Sequence, residues 1–129
     1  MADHDDGALA IVLYDGAYAR AHYAFVVAAG ALAIGRPVIM FAAGRGVHAL
    51  ARDWSGLHDA GDDEQVRARG VAGMDVLREA AVELGATLMV CDAALRLCDL
   101  APALLLDGVQ VAGIPTFLEA ARGRQIITL

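Results

Sequence analysis

The chain has 129 residues, of which 58% are hydrophobic, and its 16 acidic and 10 basic side chains give a formal net charge of −6 at pH 7. This length predicts one domain that buries a core without disulfide staples. The acidic balance and the lack of a basic helix face argue against a nucleic-acid or membrane-surface binder, so we expect neither partner.

Short apolar runs alternate with helical stretches along the whole chain. Residues 9–13 lack polar alternation, which is typical of a strand covered on both faces; further strands are predicted at residues 37–42, 86–90, 109–112 and 125–128. The helical stretches are about 18–34, 47–52, 74–84, 92–98 and 115–122, with a further short helix capped by Asp62 and Gln65. This alternation, without hairpin signals, predicts a three-layer α/β/α fold with a five-stranded parallel sheet.

Three features bear on where the protein resides. Residues 1–7 are acidic, lack the basic start of a signal peptide and are expected to form a flexible tail. Residues 21–44 approach the length of a membrane span, but Gly35-Arg36-Pro37 divides them into an Ala-rich helix and a strand. Cys91 and Cys98 would lie roughly 10 Å apart on one helix, which is too far for a disulfide, so we expect free thiols. Free cysteines fit a reducing compartment, so we also expect a cytoplasmic protein.

Cys91 directly follows the third apolar run and precedes a helical segment. The carboxyl edge of a parallel sheet is where open α/β folds place their ligand crevice, and a helix start favours an anion such as a thiolate. Free cysteines are often buried, so packing is the competing interpretation. Asp92 disfavours a thiolate unless its carboxylate turns away to cap the helix, and Cys98 is predicted to belong to the core.

Other recognised motifs are missing. The four histidines show no metal-ligand spacing, so no metal or cofactor is predicted. Gly44-Arg45-Gly46 lacks the remaining residues of a phosphate-binding loop, and there is no Gly-x-Ser-x-Gly or Cys-x-x-Cys motif. His48 either reaches the crevice edge or is a partly exposed helix histidine. The polar residues 53–69 are either a solvated connection or a lid over the crevice.

Two segments together resemble the DsrE/DsrF-like proteins. Residues 83–98, which include Ala86-Thr87-Leu88-Met89-Val90-Cys91-Asp92, look like the helix, strand and cysteine signature of that family. Residues 105–118, which include Asp107-Gly108-Val109-Gln110-Val111, look like its second signature. The opening strand, the Ala-rich helix and residues 37–41 fit the same pattern. The resemblance therefore covers nearly the whole chain, and is nearest to the single-domain members sometimes labelled peroxiredoxin-like.

The resemblance implies a five-stranded parallel sheet, an oligomer and a part in cytoplasmic sulfur relay. In such a relay, a cysteine accepts persulfide sulfur from a donor protein and passes it to an acceptor protein. Cys91 matches that cysteine, and Thr116 matches a residue near the same edge. Residues 92–94 and 98–99 depart from the methionines and the Met-Gly pair that related sequences often have, which implies a pocket with fewer thioethers.

The first hypothesis is therefore a sulfur carrier or a sulfurtransferase, with Cys91 as the catalytic residue. The residues expected to line its pocket are Tyr14, Asp15, Gly44, His48, Asp92 and Thr116. The second hypothesis is a non-catalytic module that binds a small ligand or a partner, with residues 53–69 as its lid and Cys91 as a wall residue. A third hypothesis is a thiol peroxidase, but the chain has no resolving cysteine placed to form a disulfide with Cys91. The hydrophobic content predicts a homo-oligomer.

Overall fold

A computed structural model describes residues 7–129, and its sheet has five parallel strands in the order β4-β3-β2-β1-β5. The strands are β1 (Leu9–Leu13), β2 (Val38–Ala42), β3 (Thr87–Cys91), β4 (Gln110–Ala112) and β5 (Gln125–Thr128). The predicted α/β/α fold with a five-stranded parallel sheet is confirmed. The predicted tail falls on residues 1–6, outside the described residues, apart from Gly7, whose carbonyl oxygen accepts a 2.5 Å hydrogen bond from Arg36 Nε.

Between residues 7 and 129, five α-helices and three 3₁₀ helices connect and cover the strands. They are α1 (Tyr18–Ala33), α2 (Asp62–Ala68), α3 (Met74–Glu83), α4 (Asp92–Leu97) and α5 (Ile114–Ala120), with 3₁₀ helices at Gly44–Leu50, Trp54–Gly56 and Pro102–Leu104. The division of residues 21–44 into a helix and a strand is confirmed. None of the helices between residues 7 and 129 is long and apolar enough to cross a membrane.

Two local predictions were wrong. The short helix expected at 47–52 is a 3₁₀ helix that starts three residues earlier, at Gly44. Gly44 has a positive φ of 49°, so the chain already turns at this residue. Asp62 and Gln65 do not form a capping pair, because Gly61 occupies the N-cap of α2 and no side chain caps it. Asp62 instead lies in the first turn, where an acidic side chain interacts favourably with the helix dipole.

The two faces of the sheet are covered unequally. On one face, which we call the α1 face, α1, α3, α4 and the 3₁₀ helix Gly44–Leu50 form the main core. Alanines supply most of the buried side of α1, so that helix can pack closely on the strands. The opposite face, the α5 face, is covered by α5, where Phe117 stacks on Phe41 with ring centroids 4.7 Å apart.

The polar segment 53–69 is fastened to the first helix. Asp63 is 6% exposed, and its Oδ1 accepts hydrogen bonds from the Tyr18 hydroxyl at 2.5 Å and from the Met74 N–H at 2.8 Å. Its Oδ2 accepts a bond from Arg67 Nε at 2.9 Å. One carboxylate thus joins α1, α2 and α3. A lid needs a segment that can leave its site, and these contacts oppose such a movement.

The 3₁₀ helix Gly44–Leu50 is fixed at its far end by a buried arginine. Arg78 of α3 is 6% exposed, and its guanidinium donates to the carbonyl oxygens of Ala49 (3.0 Å), Ala51 (2.5 Å) and Arg52 (3.1 Å). Burial lowers the pKa of Arg78, and the nearby Asp75 charge opposes that shift. The carbonyl oxygens at the end of a 3₁₀ helix lack backbone N–H donors, and the arginine supplies donors to them. It thereby holds the loop that follows β2 in place.

Candidate functional site

Cys91 is the last residue of β3 and the N-cap residue of α4. Side chains alternate along a strand, so Cys91 shares the α5 face with Met89, whereas Leu88 and Val90 enter the main core on the α1 face. The cysteine is partly buried and packs at the edge of both hydrophobic clusters. It is therefore accessible at the carboxyl edge of the sheet rather than sealed in the core.

The connections after β3 and β4 leave the sheet on opposite faces. Helix α4 packs Ala94 and Leu95 into the main core, whereas α5 packs Phe117 on the other side. Cys91 pairs with Ala112 in the register of these two strands. In open α/β sheets, the crevice used for ligands forms where neighbouring connections diverge in this way. The topology thus places Cys91 at the position where the fold favours a binding site.

Asp92 turns its carboxylate along α4 and away from the helix start. Its Oδ2 lies 3.2 Å from Arg96 Nη2, one helical turn further on, and no side chain caps α4. Asp92 also lines a cavity of about 350 Å³ with Arg96, Leu95 and Pro102. The ion pair is solvent-exposed and contributes at most about 1 kcal/mol, but it offsets negative charge beside Cys91. Because α4 has only six residues, its dipole contributes little to stabilising a negative charge at the start of the helix.

A separate cleft of about 650 Å³ lies at the same edge of the sheet, on the side of β1 and β2. It is formed by the loop after β1, the start of the 3₁₀ helix Gly44–Leu50, one residue of the polar segment and the end of α4. Its lining residues are Tyr14, Asp15, Gly16, Ala17, Gly44, Arg45, His58, Leu97 and Cys98. Three of the predicted pocket residues, Tyr14, Asp15 and Gly44, therefore come together.

Close backbone packing shapes this cleft. A Cβ on Gly44 would lie 2.8 Å from the Tyr14 ring, and a Cβ on Gly16 would lie 2.6 Å from the Arg45 Cβ. Both positions need glycine because the loops after β1 and β2 touch there. The Asp15 carboxylate accepts a 2.7 Å hydrogen bond from the Ala17 N–H and so orders the start of α1.

Six of the nine lining residues were not predicted, and His58 and Cys98 are two of them. His58 reaches the cleft because its backbone joins the loop after β1: its N–H donates to the Gly16 carbonyl oxygen, and its carbonyl accepts from the Tyr18 N–H, both at 2.8 Å. Cys98 was predicted to be core, but it is partly buried and lines the cleft, with Sγ 3.7 Å from the Gly44 carbonyl oxygen. The pairing of His58 with a distant loop left no local signal in the sequence.

The structure does not gather all the predicted residues around Cys91. Neither Cys91, His48 nor Thr116 is among the residues that line the 650 Å³ cleft. His48 is partly buried against Gly56, and burial, reinforced by the Arg45 charge, lowers the pKa of its imidazole. Thr116 is exposed in the first turn of α5, which begins two residues after the Ala112 that pairs with Cys91. The two thiols thus belong to different surroundings.

A further cavity, of about 590 Å³, lies beside α3 and has a mixed lining that includes Arg52, Asp75, Arg78 and Asp107. Its arginines already serve the fold, because Arg52 bonds to Asp107 at 3.2 Å and Arg78 binds three carbonyl oxygens. In the part of the chain that is described, no three His, Cys, Asp or Glu side chains are grouped to hold a metal ion. Both thiols are free.

The chain is similar in structure to solved proteins from three organisms. The protein of unknown function MTH1491 from Methanobacterium thermoautotrophicum has a TM-score of 0.64 and 18% identity, over 96% of this chain and 100% of that one. The ychN protein from E. coli has a TM-score of 0.64 and 11% identity, over 95% and 99%. The conserved protein of unknown function BT1422 from Bacteroides thetaiotaomicron has a TM-score of 0.61 and 14% identity, over 97% of each chain.

These likenesses define the class of fold: a single α/β/α unit built on a parallel five-stranded sheet, shared over nearly the whole of each chain. At such low identities they establish the architecture alone. No protein-family model and no curated protein sequence matches the chain significantly.

Proposed function

We propose that this protein is a sulfur-relay protein that carries persulfide sulfur on Cys91 and passes it to a partner. The observation that carries the proposal is the position of Cys91. It is a partly accessible thiol at the end of β3, beside the point where the connections after β3 and β4 diverge. A cysteine persulfide forms and decays by thiolate attack at sulfur, so the site needs an accessible thiol and a docked partner rather than a separate base.

The sequence resemblance to DsrE/DsrF-like proteins supports this proposal, since Cys91 occupies the position of their sulfur-handling cysteine. As part of the same proposal, we place the protein in the cytoplasm, where thiols stay reduced and can carry sulfur. Donor and acceptor would be other proteins that dock at the carboxyl edge of β3 and β4.

We also propose that the chain forms a homo-oligomer through the α5 face. Large apolar side chains are exposed on α5 and on the α5 face of the edge strand β5, namely Ile114 (48%), Leu118 (53%) and Ile126 (47%). Grouped exposed apolar residues mark interaction surfaces in soluble proteins. The α5 face is covered by a single seven-residue helix, which leaves room for a second copy.

The test uses a chain in which Cys91 is the only cysteine. Cys98→Ser protein, treated without oxygen with an alkyl persulfide and then desalted, should gain about 32 Da, one sulfur atom, on the intact chain. Folded protein should keep this sulfur longer than the same chain in urea, because partial burial shields Cys91 from attacking thiols. The matched control is Cys91→Ser/Cys98→Ser, which should gain nothing. Failure of folded Cys98→Ser to take up sulfur would exclude Cys91 as the carrier.

A second function is favoured by one observation: the 650 Å³ cleft does not include Cys91. On this alternative, the chain is a non-catalytic module that binds a small ligand in the cleft, and Cys91 is only a wall residue of the fold. It predicts that Cys91→Ala leaves the oligomer size and ligand binding unchanged. Sulfur uptake by Cys91, followed by its release to an acceptor thiol, would contradict it.

A further inference from the structure

The cleft contains a nucleophilic sulfur atom, that of Cys98, which takes no part in the proposed relay through Cys91. Cys98 is partly buried in its floor, together with Gly16 and Gly44, whereas Arg45 and His58 are exposed at the rim. Its Sγ lies 3.7 Å from the Gly44 carbonyl oxygen, which fixes the thiol toward the loop after β2. Cys98, Arg45 and His58, which come from three different parts of the chain, therefore line one cleft.

Sulfur cannot pass directly between the two thiols while α4 is intact. Cys91 precedes this helix and Cys98 follows it, so seven residues at ~1.5 Å each separate them by roughly 10 Å. A displacement at sulfur needs the reacting atoms about 3–3.5 Å apart. Cys91 also contacts the cluster beneath α5, which Cys98 does not. Any sulfur on Cys98 must therefore come from a molecule that enters the cleft.

The volume and charge of the cleft indicate what that molecule is. About 650 Å³ lies in the range of pockets that hold small molecules. The guanidinium of Arg45 at the rim matches a carboxylate, to which arginine donates two parallel hydrogen bonds. The negative charge of Asp15 is already engaged, since it accepts from the Ala17 N–H and lies 3.9 Å from Arg20 Nε.

We propose that the cleft binds a small, carboxylate-bearing persulfide and that Cys98 takes its outer sulfur atom. The inference rests on the proposed function in that it assumes a chain that handles persulfide sulfur. The Cys98 thiolate attacks the outer sulfur of R–S–SH and forms a new S–S bond. The donor S–S bond breaks, and R–S⁻ leaves with the electron pair. The products are Cys98–S–SH and the free thiolate, with no net oxidation or reduction.

Trypsin can separate the two thiols, which makes a direct test possible. The chain has no lysine, and Arg96 lies between the cysteines, so cleavage after Arg78, Arg96 and Arg122 gives peptides 79–96 with Cys91 and 97–122 with Cys98. Wild-type protein is treated with glutathione persulfide without oxygen, desalted, alkylated and digested. Peptide 97–122 should carry the extra sulfur of about 32 Da at early times, before peptide 79–96 does.

Charge recognition is tested with Arg45→Gln, which keeps the stem that packs on Gly16. Loading of Cys98 from glutathione persulfide should slow about fivefold, as expected from the loss of one solvent-exposed ion pair. Loading from a neutral alkyl persulfide should not change. The matched control is Arg69→Gln, an exposed arginine just after α2 and outside the cleft, which should leave both rates unchanged. Equal effects of Arg45→Gln on both donors would contradict carboxylate binding.

The outcomes separate this inference from the proposed function. Extra sulfur on peptide 79–96 alone would overturn the role of Cys98 and leave that of Cys91 standing. Extra sulfur on peptide 97–122, with Cys91 unloaded by every persulfide, would support the cleft and overturn Cys91 as the carrier. Extra sulfur on neither peptide would overturn both.

Discussion

The hydroxyl of Tyr18 should stabilise the fold through its bond to Asp63. Tyr18→Phe keeps the buried ring, which is 2% exposed, and removes one donor to a buried carboxylate. A hydrogen bond to a charged group contributes about 1.5–3 kcal/mol, so the free energy of unfolding should fall by that amount. Urea unfolding followed by circular dichroism measures it. The matched control is Tyr23→Phe, which changes an exposed tyrosine of the same helix and should cost less than about 0.5 kcal/mol.

The pH dependence of this network gives a second readout. Burial alone would raise the pKa of Asp63, but the bonds from Tyr18, Met74 and Arg67 outweigh it, and the net shift is downward. A lowered pKa in the folded state means that the carboxylate stabilises the protein above the ordinary value of 3.8 and loses this effect as the pH falls through the folded value. Asp63→Asn should therefore be less stable than wild type at pH 7, by about 3 kcal/mol. The difference should shrink below pH 3.8.

Burial, followed by the bond to Asp63 and its charge, raises the pKa of Tyr18 above its usual value. The neutral hydroxyl is thus the form that the fold stabilises at physiological pH. If Tyr18→Phe changed the stability no more than Tyr23→Phe does, the carboxylate would not be the anchor of residues 53–69. A double-mutant cycle with Asp63→Asn isolates the pair and should give a coupling of at least about 1 kcal/mol.

Three further predictions concern the support of the cleft and the α5 face. Gly46→Ala should lower the free energy of unfolding by about 1–3 kcal/mol, because the added Cβ would overlap the backbone of β1. Gly30→Ala is the control, since Gly30 lies on α1 with open space around it, and this change should raise the free energy of unfolding by up to about 1 kcal/mol. Urea titration measures both. Arg78→Met should cost about 2–4 kcal/mol in the same titration, because three carbonyl oxygens lose their donor. Leu118→Arg on α5 should reduce the oligomer mass in light scattering, whereas Val76→Arg on α3, at a residue of similar exposure, should not. A monomeric wild-type chain would contradict the last of these.

The centre of the sheet could be predicted from the sequence because β1 and β2 are uninterrupted apolar runs separated by helix signals. The assignment of residues 37–42 and 86–90 needed no long-range information. Short apolar runs between helical segments are typical of central strands that are buried on both faces. The position of Cys91 at the sheet edge followed from the same pattern. Tyr14 and Gly44 could be assigned to one cleft because neighbouring parallel strands end at the same edge.

What the sequence could not supply was side-chain direction and long-range pairing. Cys98 was assigned to the core because its neighbours are apolar, but the end of α4 turns it toward Gly44 and the cleft. The pairing of His58 with Ala17 depends on the path of the polar segment, which has no periodic signal. The burial of Asp63 likewise depends on a tyrosine 45 residues away. These features arise from packing between segments that are distant in the chain.

The most direct test of the account is the state of Cys91 in protein taken from its own cells. The chain is isolated under alkylating conditions that preserve persulfides, and peptide 79–96 is weighed. A sulfur-relay protein should show a fraction of this peptide with one extra sulfur atom, about 32 Da, that is lost when a reducing thiol is added before alkylation. Detection of Cys91 only as the free thiol, under conditions in which other cellular proteins retain their persulfides, would contradict the central claim.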